Sequence, residues 1–211
     1  MLCEWESLKV EKLNMINLTY PFSEDVVREL KAGDVVSVNG RVWTGRDRLH
    51  KHFADGGAIP VDMRGGALYH CGPVVVPAKP VHPGAAPWRI AAGGPTTSMR
   101  ENPYEAAFIE KTGVRLIIGK GGMDATVLAA CERFGAVYLQ AVGGAAAVTA
   151  RAVKSVENVY FLKEFGAAEA CWELEVEDFQ CVVAMDAHGV SLFESVQRES
   201  LSRFKSLIKA G

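Results

Sequence analysis

No two of the five cysteines stand as a CxxC pair: Cys3, Cys71, Cys131, Cys171 and Cys181 are an odd, scattered set. That spacing supports neither a disulfide framework nor a thiolate metal site in this chain, and small buried thiols remain as the reading. Long hydrophobic runs are also missing. No stretch approaches the roughly 18 apolar residues that span a bilayer. The N-terminus MLCEWESLKVEK has no signal-peptide core, so the chain reads as a soluble, cytoplasmic protein with no membrane partner. Charge of one sign is not in excess either: 25 acidic and 23 basic residues leave a formal −2, which is no electrostatic footprint for nucleic acid. No fixed-period repeat appears. What is present is an ordinary globular composition, 49% hydrophobic over 211 residues, enough to build a sizeable core.

The pattern predicts an α/β chain with a β-rich N-terminal half and an alternating strand/helix C-terminal half, read as one domain over 1–211 with an N-terminal arm at 1–17. Ser23 is placed to cap a short helix that begins at Glu24 and stops at Gly33. Val35–Val38 and Val42–Thr44 flank Asn39-Gly40, a strong hairpin signal. Residues 46–56 suggest a short polar helix. Between 65 and 95 the chain is rich in Gly and Pro, with short strands at Ala67–Cys71, Val74–Val76 and Trp88–Ala92; the prolines restrict them to edges and strand starts. Helices are expected over 98–111, over MDATVLAACERFG and over AAAVTARAVKS. VRLIIG and AVYLQAVG, apolar runs between them, read as buried parallel strands. The tail adds strands near 171–177 and 179–185, a turn at Asp186–Gly189 and a helix over 193–209.

Four turns carry the residue types of an anion site. Gly45-Arg46-Asp47, with His50 just beyond, puts a guanidinium at the end of a β-ribbon, able to grip a carboxylate in two hydrogen bonds. Asp47 can hold it, and a solvated surface pair is the plain alternative. Gly93-Gly94-Pro95-Thr96-Thr97-Ser98-Met99-Arg100 follows a strand and opens a helix, so hydroxyls and backbone N–H groups gather at a helix N-terminus. A simple N-cap explains one of those hydroxyls, but neither the two glycines nor Arg100. Gly119-Lys120-Gly121-Gly122 pairs close backbone approach with a point charge; it departs from a Walker A loop, which needs Ser or Thr after the Lys. Gln140–Ala145 is explained by close helix–strand packing, with a ligand-facing backbone as the alternative. His52, His70 and His82 have no ligand spacing and are assigned to surface or core. Arg46, Arg100 and Lys120 around one pocket suit a substrate with two carboxylates, and Thr96 or Thr97 adds an uncharged proton carrier.

In this order and spacing, GDVVSVNGRVWTGRDRLHK, Tyr69-His70-Cys71-Gly72-Pro73, GPTTSMR and IGKGG resemble the C-terminal domain of class I fumarases, and equally the β subunit of two-chain fumarases and L-tartrate dehydratases. The likeness runs from about Leu18 through Phe193. It implies a swivelling β/β/α domain and a hydro-lyase that interconverts fumarate and (S)-malate. It implies a [4Fe–4S] cluster held by a partner α subunit, not by this chain, in an α2β2 or similar assembly active only when both chains are present. Carried over by motif, Thr96 is the proton-transfer residue; Arg46, Arg100 and Lys120, with Thr97 and Gly121, bind the substrate carboxylates. Asn102 stands where the family often has Asp. L-Tartrate dehydration and a non-catalytic dicarboxylate-binding module are the alternatives.

Overall fold

The computed structural model describes residues 15–209. Most of the expected N-terminal arm and Cys3 lie outside them, and where the arm enters view it is already strand. β1 (Ile16–Thr19) leads to α1 (Glu24–Glu29), whose first turn Ser23 caps by accepting a hydrogen bond from Val26 N at 3.4 Å. Next come β2 (Val35–Thr44), α2 (Asp47–Ala54), β3 (Ala67–Tyr69), β4 (Val74–Pro77) and β5 (Trp88–Ala92). A 3-10 turn (Ser98–Glu101) runs into α3 (Asn102–Thr112), with Pro103 in its first turn and Gly113 closing it at φ 69°. Then follow β6 (Leu116–Gly119), α4 (Ala125–Phe134), β7 (Val137–Gln140), α5 (Ala146–Ala152), β8 (Val153–Tyr160), α6 (Leu162–Phe165), β9 (Cys171–Met185) and α7 (Leu192–Lys209). No helix among the described residues is long and apolar enough to cross a membrane.

The architecture is mixed α/β with barrel-like closure. The main sheet runs β1-β2-β3-β6-β7-β9-β8, and β2 also pairs with β9. Val182 of β9 faces Val35 of β2 on one side and Gln140 of β7 on the other, so β2, β3, β6, β7 and β9 form a closed ring. Within it β2, β3, β6 and β7 are parallel, as their continuous apolar runs require, and β9 is antiparallel to both neighbours. Side-chain alternation then divides the interior. Val42, Ala67, Tyr69, Leu116, Ile118, Val137 and Leu139 belong to one buried cluster with Val36, Leu174, Cys181 and Val183. Trp43, Leu68, Ile117 and Tyr138 face the other way, onto Leu49 of α2, Phe108 and Ile109 of α3 and Val127 and Cys131 of α4.

Three expectations are corrected. Asn39-Gly40 does not turn a hairpin: β2 runs straight through it, paired along its length with β9, and the register shifts between Val38 and Gly40. Asn39 Oδ1 accepts from Asp178 N at 2.9 Å, and Asn39 Nδ2 donates to Leu18 O at 3.2 Å. The dipeptide serves a bulge, because a long-range partner strand outcompetes the local turn. The two strands expected at 171–177 and 179–185 are likewise one; Glu177 and Asp178, the latter at φ 56°, are its bulge and stand opposite Asn39. The helix expected over AAAVTARAVKS ends at Ala152, and Val153 begins β8, where β-branched residues pair with β9. β5 is a strand but belongs with β4 in a separate two-stranded sheet, as proline-limited segments do.

Candidate functional site

The turns after β2, β3, β6 and β7 all leave the carboxyl ends of neighbouring parallel strands, the end at which both open α/β sheets and closed α/β barrels bind ligands. Arg46 occupies the N-cap position of α2 without making a side-chain cap bond. Its guanidinium lies over Gly72 instead: a Cβ at that position would stand 2.4 Å from Arg46 Nη1. Arg46 Nε is 3.5 Å from Glu169 Oε1, and Nη2 is 3.8 Å from Asp47 Oδ2. Arg100 reaches that same Asp47 oxygen, donating from Nη2 at 2.7 Å. One carboxylate oxygen thus stands between two guanidiniums. Asp47 holds Arg100 more closely than Arg46, the arginine beside which it lies in sequence.

The Thr96–Ser98 turn does not continue a strand of the main sheet, because β5 lies in the small one. It is brought there by backbone bonds. Cys71 bridges Pro95, Thr96 N donates to His70 O at 2.6 Å, and Thr97 bridges Lys120. Lys120 N donates to Thr96 O at 3.3 Å and Ser98 N to Lys120 O at 2.9 Å. The turn is wedged between the ends of β3 and β6, with Thr96, Thr97 and Lys120 half-buried. Thr97 takes the N-cap position of the 3-10 turn, yet its hydroxyl makes no capping bond. Gly121, exposed at φ 82°, donates its N–H to Gln140 Oε1 at 3.2 Å. The fourth turn is tied at its start, where Ala141 N donates to Gly119 O at 2.8 Å, and is exposed over Val142, Gly143 and Gly144. So the structure joins Arg46 to Arg100 through Asp47, and Thr96, Thr97, Lys120 and Gly121 through the main chain. Ser98, the third hydroxyl expected at the anion site, points away from it, into the core.

Beneath the turns lies a set of polar groups that sequence reasoning missed. His50, His70, Ser98, Glu101 and Glu105 are all fully buried. Glu105 Oε2 stands 3.0 Å from His50 Nε2 and 3.0 Å from His70 Nε2. His50 Nδ1 lies 2.9 Å from Arg46 O, His70 Nδ1 lies 2.9 Å from Ser98 Oγ, and Tyr138 OH donates to Ser98 Oγ at 3.0 Å. Burial works to raise the Glu105 carboxyl, but the two imidazoles overcome it and hold the group at about 2. Burial also opposes charge on His50, yet the Glu105 carboxylate, Glu101 and the Arg46 carbonyl raise its affinity for a proton. His70 goes the other way, lowered by burial despite Glu105 and with the neighbouring His50 acting in the same sense. Glu101, whose two oxygens have no hydrogen-bond partner, is pushed by burial up to about 7. A signal for the carboxylates was present: Glu101 and Glu105 fall on the same helical face as Phe108 and Ile109, a stripe otherwise apolar. The histidines, separated by 19 residues of sequence, carry no such mark.

Cys71, Cys131, Cys171 and Cys181 are free and buried, and burial pushes the Cys71 and Cys131 thiols up to about 12. Among the described residues the cysteines form no group of metal-ligand geometry. They do not fit an iron–sulfur cluster, so no chemistry of this chain is derived through one.

With this geometry established, comparison places the chain in a family. Residues 1–196 match the Fumarase C-terminus model, and the chain belongs to that family. A Geobacillus stearothermophilus protein assigned to fumarate hydratase class I is 47% identical over 194 residues, covering 90% of this chain and 36% of its own length. The chain thus spans about a third of that relative. A Methanocaldococcus jannaschii protein assigned as an L(+)-tartrate dehydratase subunit beta is 42% identical over 86% of this chain and 93% of its own length. The Escherichia coli K12 L(+)-tartrate dehydratase subunit beta is 34% identical over 83% of this chain and 85% of its own.

Proposed function

We propose that this chain is the β subunit of a two-chain iron–sulfur hydro-lyase that reversibly hydrates fumarate to (S)-malate. In this reading it is one swivelling β/β/α unit, in an α2β2 or similar assembly whose α subunit carries the [4Fe–4S] cluster. The observation that carries the proposal is the pairing of Arg46 and Arg100 on one oxygen of Asp47. Asp47 faces both guanidiniums and Glu169 faces Arg46 alone, at ion-pair distances that leave N–H donors over, and a dianionic substrate completes them. Lys120, on the neighbouring turn, adds the third cation.

The chemistry assigned to these residues is limited and specific. When malate loses water, a proton leaves the carbon beside a carboxylate and its electron pair moves into that carboxylate, giving an aci-carboxylate dianion. Arg46, Arg100 and Lys120 stabilise the charge that builds there more than the ground state, and this difference lowers the barrier. Thr96 Oγ relays the proton. A hydroxyl is a weak base, so it must pass its own proton to a carboxylate, which the partner supplies. No residue of this chain is assigned to the departing hydroxide.

The test is to purify the chain alone and with its α subunit and follow fumarate and malate interconversion. Turnover is expected only in the mixture, and full activity from this chain alone would refute the proposal. L-Tartrate dehydration is a second reading. It is favoured by the two relatives of which this chain covers most of the length. Running both substrates in the same assay decides between them.

A further inference from the structure

We infer that the buried chain Tyr138–Ser98–His70–Glu105–His50 is a positioning device for the proposed active site, joining the Arg46 turn to the Thr96–Ser98 turn through one fixed order of protons. This inference rests on the functional reading above for what is positioned, but not for the proton order itself. At the His50 end the order follows from which atoms can only accept. The Arg46 carbonyl is an acceptor, so His50 Nδ1, 2.9 Å away, carries a hydrogen. Ionised Glu105 is also acceptor-only, so the two Nε2 atoms, each 3.0 Å from its Oε2, both carry hydrogens. His50 is therefore an imidazolium. At His70 the order is part of the inference: Ser98 Oγ takes the Tyr138 hydroxyl proton at 3.0 Å, and giving its own to His70 Nδ1 at 2.9 Å leaves that ring neutral.

Each end of this chain is fastened to a turn that carries a proposed substrate residue. His50 N and Nδ1 both meet the carbonyl of Arg46, at 3.1 and 2.9 Å. His70 O takes the Thr96 N–H at 2.6 Å, while Ser98 N donates to Lys120 O at 2.9 Å. Ser98 Oγ and His70 Nδ1 lie close over the bare backbone of Gly119, where a Cβ would stand 1.9 Å from the first and 3.2 Å from the second. Packing alone does not call for such groups. Leu49, Phe108 and Ile109 fill the surrounding layer, and apolar residues of similar volume serve stability as well as a buried ion pair does. What a polar chain adds is direction, since each bond admits only one donor. The groups around His50 are Glu101 and Tyr104 from the segment leading into and starting α3, Glu105 and Phe108 further along it, His70 from the end of β3 and the Arg46 carbonyl.

Nitrogen-15 NMR of histidine-labelled full-length chain reads the proton order directly. Near neutral pH, one buried imidazole should be doubly protonated and one neutral with its hydrogen on Nε2; His50→Gln and His70→Gln assign them. Two neutral rings in the wild type would overturn the inference. So would one equivalent of a transition metal in the purified chain, since the same three side chains have the make-up of a metal site. In enzyme reassembled with its α subunit, Glu105→Gln should lower kcat by roughly a hundredfold, the scale of a misplaced reacting group, with a much smaller rise in KM. Ser98→Ala leaves every charge in place, and should release the His70 tautomer and lower kcat less, roughly tenfold. If both variants fold and keep wild-type kcat and KM, the network positions nothing. If wild-type enzyme turns over neither substrate, the functional reading fails, and the NMR result still decides the proton order.

Discussion

Arg100 and His50, the latter an imidazolium in the inference above, both stand beside carboxylates, and they differ in almost every physical respect. The Arg100 side chain is 52% exposed and shares Asp47 with Arg46, whereas His50 is sealed between Glu105 and the Arg46 carbonyl. In water the first pair is screened and contributes at most about 1 kcal/mol, so Arg100 can leave Asp47 at little cost, as the proposed substrate role requires. The second pair cannot be broken without stranding a charge in the core, at about 3–5 kcal/mol. The upper layer is thus free to exchange partners and the lower layer is not. A binding turn needs both: loosely held side chains on tightly held backbone.

The largest effect that tests this contrast is Arg100→Ala. In reassembled enzyme it should lower kcat/KM by about 3 kcal/mol, on the order of a hundredfold, while the thermal midpoint stays near wild type. An equal loss of stability would mean that the upper layer is structural after all. Gly119→Ala attacks the lower layer by sterics, since the new methyl would stand 1.9 Å from Ser98 Oγ and 3.1 Å from Tyr138 OH. It should cost about 1–3 kcal/mol of stability in denaturant unfolding.

Glu101 gives the contrast a pH dependence. Its folded value, about 7, lies above the ordinary 4.5, so between these limits the folded chain binds more protons than the unfolded one. Stability from this group is full below 4.5 and is lost as pH rises through about 7. Glu101→Met should therefore stabilise the chain at pH 8 by about 1 kcal/mol or more, and by less at pH 5. Glu105 has the opposite sign. Held at about 2, it contributes stability above 4.5 that is lost as pH falls toward 2, and Glu105→Gln should flatten the acid limb of the stability curve. The smallest effect is expected at Arg203→Ala on α7, an exposed intrahelical pair with Glu199, within about 0.5 kcal/mol.

Local signals were read well wherever the chain itself supplied the partner. Ser23 caps α1 and Gly113 closes α3; the run Leu116–Gly119 is a buried parallel strand, and the prolines around Val74–Val76 keep that segment out of the main sheet. They misled where a distant partner decided the outcome. Asn39-Gly40 has the composition of a hairpin, but β9 offers β2 a ladder from Val35–Val182 to Trp43–Glu173 that a two-residue turn cannot match. Ser98 looked like one more hydroxyl for an anion, and Tyr138 and His70, 40 and 28 residues away, turn it inward.

The sequence by itself determined the alternation of elements, the glycine turns and the cations placed on them, because caps, turn residues and periodicity act over a few residues. Its motifs were also enough to indicate the family. Tertiary structure alone decided that Arg46 and Arg100 meet on Asp47, that β9 closes the ring, and that two histidines share one carboxylate beneath the turns. Those outcomes depend on groups brought together from 35 residues apart, as His70 and Glu105 are, to well over a hundred, as Val35 and Val182 are, whose charges and hydrogen bonds gain strength only once the fold has removed the water between them.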